Sequence, residues 1–186
     1  MSDMEKRWEI ELDKAREKIK LERSKERGLT ERFYAATWEN WIADTPNKKR
    51  AWESARKAWE QNMFFTGKNG TGKTHLAMCL VKDGATHRLF GEIFHEAKCD
   101  FKYEQDVIDF YGGRRLLIID EVGRQNFSDA ELKLFFDIID QRWNYKKPTL
   151  LIGNIAIEEL TTKLGTAIMD RIKPLIAVPF DWESRR

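Results

Sequence analysis

Residues 67 to 74, Gly-Lys-Asn-Gly-Thr-Gly-Lys-Thr, place three glycines, two lysines and two threonines in eight positions, just after the apolar run Met63-Phe64-Phe65 and one threonine. The spacing is G-x-x-x-x-G-K-[ST], with Gly67, Gly72, Lys73 and Thr74 in the four fixed places. Glycine at 67, 70 and 72 lets backbone N–H groups turn inward and approach phosphate oxygens, where a Cβ would stand in the way. Lys68, Asn69 and Thr71 belong to the same expected cradle. The Lys73 ammonium is then placed for the β and γ phosphates and the Thr74 hydroxyl for Mg²⁺. A helix opening through His75, Leu76 and Ala77 adds the positive end of its dipole at the same point. The chemistry expected of Gly67 to His75 is therefore binding of a nucleoside triphosphate, ATP, with Mg²⁺.

A phosphate loop alone does not separate a kinase from a motor or a switch. The run Leu116-Leu117-Ile118-Ile119 narrows the choice because it ends in two adjacent acids, Asp120 and Glu121. Ligands of open α/β sheets sit at the carboxyl ends of strands. Asp120 is thus expected to face the metal and Glu121 to orient and deprotonate an attacking water. Asn154 closes the next apolar run, Leu150 to Gly153, where its amide can meet the γ-phosphate or that water. Asparagine is also a common turn residue after a strand.

These groups need a scaffold. Continuous apolar runs such as 116–119 mark strands buried on both faces, as in a parallel sheet. Further strands are expected at 149–153 and 175–180, with a short one near Leu89. Ser128 stands three residues before Glu131, the spacing of a capping box, and Leu132, Phe135, Phe136 and Ile139 continue that helix to about Tyr145 before Pro148 blocks it. Alternating strands and helices predict a doubly wound α/β fold. Trp52, Ala55 and Trp59 mark a helix leading into the first strand, Asn47 to Arg50 reads as a solvated loop, and Phe33 to Trp38 is a candidate flank for an adenine ring.

The chain has 186 residues, 41% apolar and 34% charged, which suits one domain plus an appendage. It carries no apolar run of membrane-spanning length and no signal-peptide pattern at its start, so a cytoplasmic location is expected. A net charge of +2 leaves nucleic-acid binding to local patches. Cys79 and Cys99 fit neither a disulfide framework nor a zinc cluster. Residues 4 to 27 are almost unbroken charge except for Trp8, Leu12, Ala15 and Ile19, a narrow helical stripe that stops at Gly28. This reads either as a solvated helix or as one that docks on a partner.

The set "GKNGTGKTHLA", "LLIIDEVGRQ", "TLLIGN", "LGTAIMDRI" and "FDWESRR" resembles the family of the bacterial helicase loader DnaC, the related DnaI and the transposition helper IstB, within the AAA+ ATPases. The resemblance runs from about residue 31 to the end. It implies a five-stranded parallel sheet flanked by helices, with little or no C-terminal lid, over residues 31–186, and leaves the charged helical segment at 1–30 as the expected helicase-docking part. It also implies that Lys73 and Thr74 are Walker A, Asp120 and Glu121 Walker B and Asn154 sensor 1. By the same resemblance Arg171 is an arginine finger acting on a neighbouring subunit, and Arg186 a sensor 2 arginine bound to the nucleotide. The implied function is ATP-dependent loading of the hexameric replicative helicase, of DnaB type, onto single-stranded DNA. Self-association into an arc or spiral goes with it, and the compact chain suits a phage or mobile element. An IstB-like transposition helper acting on duplex DNA is the alternative, and an ATP-clamped DNA-binding adaptor with little turnover is a second. Phe94, Lys98, Phe101, Lys102 and Tyr103 interleave aromatic and basic residues as stacking on single-stranded bases requires. The N-terminal segment lacks the cysteine-rich zinc module of some relatives.

Overall fold

The computed structural model describes residues 3–99, 104–124 and 126–184. Helix α1 spans Asp3–Glu26 and ends before Gly28, whose φ of +104° breaks the helix. A 3₁₀ turn at Glu31–Phe33 leads on to α2, Pro46–Arg56, and a second at Lys57–Trp59 takes Trp59 beyond the helix. Then come β1 (Asn62–Gly67), α3 (Lys73–Lys82), β2 (Thr86–Leu89) and α4 (Phe90–Cys99). They are followed by α5 (Glu104–Gly112), β3 (Leu117–Asp120), α6 (Asp129–Asn144), β4 (Thr149–Gly153), α7 (Ile157–Arg171) and β5 (Leu175–Phe180).

The five strands form one sheet in the order β2-β3-β4-β1-β5, and every pairing is parallel. Because strand residues alternate between faces, β1 sends Met63 and Phe65 to one core and Phe64 to the other. The first core collects α2, α3 and the inward residues Ile118, Leu150 and Ile152. The second is built on Phe64, Leu117, Ile119 and Leu151 and is covered by α4 to α7. Both faces of β3 and β4 are buried, which explains their unbroken apolar composition.

Local signals set the ends. Ser128 and Glu131 form the reciprocal capping box that opens α6. α2 starts at Pro46, ahead of Trp52, the first residue of the tryptophan spacing. The Thr45 side chain caps it by accepting from the Lys48 N–H, and Pro46 occupies the first turn, where its missing N–H costs nothing. The basic run Asn47 to Arg50 is consequently helix rather than loop. Trp52 and Trp59 pack against the first core as half-buried side chains. Arg142 is the largest side chain buried almost completely. Its guanidinium donates to Thr149 Oγ1 (2.8 Å), Tyr111 O (2.8 Å), Arg114 O (2.9 Å) and Pro148 O, tying α5, α6 and the start of β4 together.

One expectation fails on packing. Phe94 is 4% exposed within the second core, against Phe90, and so offers no face to a base. The spacing of α4 buries Phe90, Ile93 and Phe94 as a set, and the burial of its neighbours carries Phe94 inward. Phe101, Lys102 and Tyr103 lie outside the described residues. The stripe on α1 is the reverse case, since Trp8 (68%), Leu12 (50%) and Ile19 (53%) touch solvent. Only the last turns of α1 dock, through Leu21 and Ser24. Among the described residues no helix is long and apolar enough to cross a membrane.

Candidate functional site

The carboxyl ends of β1, β3 and β4 are neighbours in the sheet, and each releases functional groups at the same edge. β1 runs into the loop 67–72, β3 into Asp120 and Glu121, and β4 into Asn154. Asn69, Lys73, Thr74, Asp120, Glu121 and Asn154 all line one cleft, together with Gly70, Gly72 and His75.

Gly67, Gly70 and Gly72 all have positive φ, of 139°, 79° and 99°. Gly72 is the N-cap of α3, and a Cβ there would stand 2.5 Å from Cζ3 of Trp41. The Trp41 ring therefore lies flush against the loop. It also stands 5.7 Å from the His75 ring and 6.3 Å from Trp182, whose indole N–H donates to the Thr71 carbonyl at 2.9 Å. Two tryptophans distant in sequence buttress the loop from outside. The Thr71 hydroxyl closes it from within by donating to Lys68 O at 2.8 Å.

Lys73 is 6% exposed, and its ammonium donates to Gly67 O (2.6 Å) and Lys68 O (2.8 Å). Burial pulls its pKa below the ordinary value, against the opposing charge of Asp120. The Thr74 hydroxyl donates to Asp120 Oδ2 at 3.0 Å, and the Glu121 N–H donates to Asp120 Oδ1 at 2.7 Å. Burial tends to raise the Asp120 pKa. Nearby His87, the Glu121 N–H and the Thr74 hydroxyl outweigh it and hold the carboxylate below its usual range. An ionised carboxylate and a hydroxyl meeting at a helix N-terminus beside a lysine fit Mg²⁺, which takes one or two protein oxygens and completes its shell with phosphate and water. Among the described residues no group of three or more His, Cys, Asp or Glu side chains could hold a metal ion.

Glu121 adopts φ +60°, an uncommon conformation for a residue with a side chain. It turns the carboxylate out of the strand line toward the cleft, where Arg124 Nη1 donates to both oxygens at 2.9 and 2.8 Å. Asn154 reaches back across the cleft and donates from Nδ2 to Asn69 Oδ1 at 2.7 Å, joining β4 to the loop. His75 approaches Thr37 O at 3.2 Å, and burial lowers its pKa against the raising effect of that carbonyl.

Arg171 is not brought to this cleft. It lies at the end of α7, where Nε donates to Asp140 Oδ1 at 2.6 Å and the guanidinium sits over Trp143 (5.1 Å) and Phe136 (5.7 Å). Asp170 pairs instead with Lys173 at 2.7 Å. Arg186 lies outside the described residues. Of the aromatics expected near a base, Phe33 lines the cleft with Leu29 and Met78, while Trp38 bonds to Asp83 at the far end of α3. Four residues close to the site escaped sequence reasoning. Trp41 and Trp182 are indistinguishable from core aromatics without the fold, Arg124 from any surface arginine, and His87 gives only the weak signal of a polar residue inside a short strand.

Residues 53–178 match the model of the IstB-like ATP binding protein family. The replicative helicase loader DnaC of Escherichia coli K12 is 28% identical to the chain over 94% of its length and 79% of the relative's. Among solved structures, the DnaC helicase loader superposes with a TM-score of 0.66 and 21% identity, over 80% of this chain and 99% of that one. DnaI gives 0.69 and 19% over 86% of this chain and 95% of that one. The fold is thus the one that these two structures share, here with α1 ahead of the sheet.

Proposed function

The chain belongs to the IstB-like ATP binding protein family, and from that premise we propose that it is an ATPase that loads a replicative DNA helicase onto single-stranded DNA in the cytoplasm. The observation that carries this reading is the likeness to DnaC over 94% of the chain, combined with a single cleft lined by Asn69, Lys73, Thr74, Asp120, Glu121 and Asn154.

The N–H groups of the loop and the Lys73 ammonium bind the phosphates, with Lys73 exchanging its two carbonyl partners for phosphate oxygens. Thr74 and Asp120 are the residues that would hold Mg²⁺, which would supply neutralisation of the phosphate charge. Asn154 orients the attacking water, and the Glu121 carboxylate accepts its proton as the oxygen attacks the γ-phosphorus, the bond to the β–γ bridging oxygen breaks and ADP leaves with that electron pair. Glu121 must first part from Arg124, a bond between exposed side chains that is cheap to break. Arg171 points away from the cleft of its own chain, which suits a finger delivered to a neighbour in an arc or spiral. Binding energy for ATP at that junction stabilises the assembly, and hydrolysis removes it. Residues 1–30 form the helicase-docking segment, with the exposed stripe of Trp8, Leu12 and Ile19 as its contact surface. Residues 31–186 form the ATPase.

Pull-down of a hexameric replicative helicase by the full chain, and not by a version lacking residues 1–27, is the expected result. Equal recovery by both would remove α1 from docking. Retention of a transposase on duplex DNA instead would favour the IstB-like reading, whose ATPase core is the same.

A further inference from the structure

His87 contacts neither phosphate nor attacking water in the reading above, yet it is 6% exposed and its Nε2 has no hydrogen-bond partner. An orphaned polar atom this deep is costly unless it serves a neighbour. β2 is an edge strand, and its register sets His87 beside Ile118 of β3 and Leu89 beside Asp120. Strand alternation therefore puts the His87 side chain on the face from which Asp120 projects. Nε2 lies 3.6 Å from Asp120 Oδ2, the oxygen that also accepts from Thr74. Two hydrogen bonds hold the carboxylate, Glu121 N–H on Oδ1 and Thr74 Oγ1 on Oδ2, and the imidazole flanks Oδ2 from β2.

The backbone of His87 is held from the opposite side. Its N–H donates to Arg27 O at 2.7 Å, immediately after α1. Gly28 sits so close that a Cβ would stand 2.3 Å from His87 O. This contact occupies the outer edge of β2 and fastens the foot of the N-terminal helix to the strand that carries the imidazole.

We infer that His87 is a positioning residue that aims Asp120 at the metal bound with the nucleotide, and that the Arg27-Gly28 junction holds it in register. The inference rests on the Mg²⁺-nucleotide reading of the cleft. It also gives α1 a physical route to the site: carbonyl 27, backbone 87, imidazole, Asp120. A displacement of the helix foot shifts His87 and with it the affinity for the metal.

The test is binding of a fluorescent ATP analogue to the full chain with Mg²⁺ and with EDTA, for wild type, His87→Ala, His87→Gln and Gly28→Ala, each checked by its melting curve. The ratio of the two dissociation constants isolates the metal contribution. Neighbours that orient a metal ligand are typically worth about 10 to 100-fold in metal affinity. His87→Ala is expected to shrink the wild-type ratio by about tenfold or more at unchanged affinity in EDTA. His87→Gln, which keeps an N–H donor, is expected to recover part of it. Gly28→Ala should shrink the ratio in the same direction, and His87→Ala decides the matter if Gly28→Ala fails to fold. A His87→Ala ratio within about twofold of wild type, or an equal loss of affinity with and without metal, overturns the inference. A wild type whose affinity ignores Mg²⁺ would instead overturn the metal reading of the cleft, and this inference with it.

Discussion

Replacing Gly72 by alanine tests whether Trp41 presses on the phosphate loop. Two separate costs arise. At φ +99° a Cβ meets the backbone strain of left-handed geometry, about 1–2 kcal/mol for an ordinary residue. The same Cβ stands 2.5 Å from Cζ3 and 2.9 Å from Cη2 of Trp41, about 1 Å inside normal contact, and forced overpacking of this kind costs about 1–3 kcal/mol. The sum, about 2–5 kcal/mol, is a large share of the total stability of a small domain. Trp41 can yield only at the expense of its bond to Lys48 O and its packing on Trp182 and His75. A double-mutant cycle separates the two costs. Denaturant melts of Gly72→Ala, Trp41→Ala and the pair are expected to show a favourable coupling of about 1–3 kcal/mol, because removing the ring relieves the clash and leaves the backbone strain. Nucleotide titrations should follow the same order. Additivity within about 0.5 kcal/mol would refute the reasoning, since Trp41 would then not be seated on the loop.

Glu121→Gln is expected to keep ATP affinity and to lower turnover by about 10² to 10⁴, the usual worth of a general base, as measured by phosphate release. Arg171→Ala should lower turnover by about 10³ to 10⁵ without weakening nucleotide binding, and wild-type turnover should rise faster than linearly with protein concentration. Strict proportionality would count against a finger acting between subunits. Arg142→Leu strands three carbonyls and a hydroxyl in the core and should destabilise by about 3–5 kcal/mol in urea unfolding. Burial raises the Cys79 thiol from 9.0 to about 12, so the folded state holds that proton longer than the unfolded one. Its contribution to stability is complete below about pH 9 and is lost as pH rises toward about 12. A thiol reagent at pH 8 should accordingly modify exposed Cys99 in the folded chain and Cys79 only after denaturation.

The strands, the phosphate loop and the capping box of α6 were legible because their signals are local: apolar runs, glycine spacing, and a serine three residues from a glutamate. What local spacing cannot carry is which face meets what. Phe94 shares the aromatic-basic alternation of a base-stacking surface, yet the core claims it, since the same residues also satisfy the helical period. The Pro46 helix was hidden by its charge, because Thr45 and Pro46 start it chemically while Lys48, Lys49 and Arg50 suggest a loop. Trp41, Trp182 and His87 act on the site across gaps of tens of residues that only the sheet order β2-β3-β4-β1-β5 closes. Arg171 shows the opposite limit, a residue whose expected partner belongs to another copy of the chain and whose surroundings here are Asp140, Phe136 and Trp143.

The most direct test of the account is retention of a purified hexameric replicative helicase on circular single-stranded DNA, scored after gel filtration, with and without this chain and ATP. The account predicts stable retention only when the full chain and ATP are both present, with loss when residues 1–27 are removed. A helicase that stays off the circle under all conditions, while the chain coats duplex DNA in the presence of ATP, would contradict it.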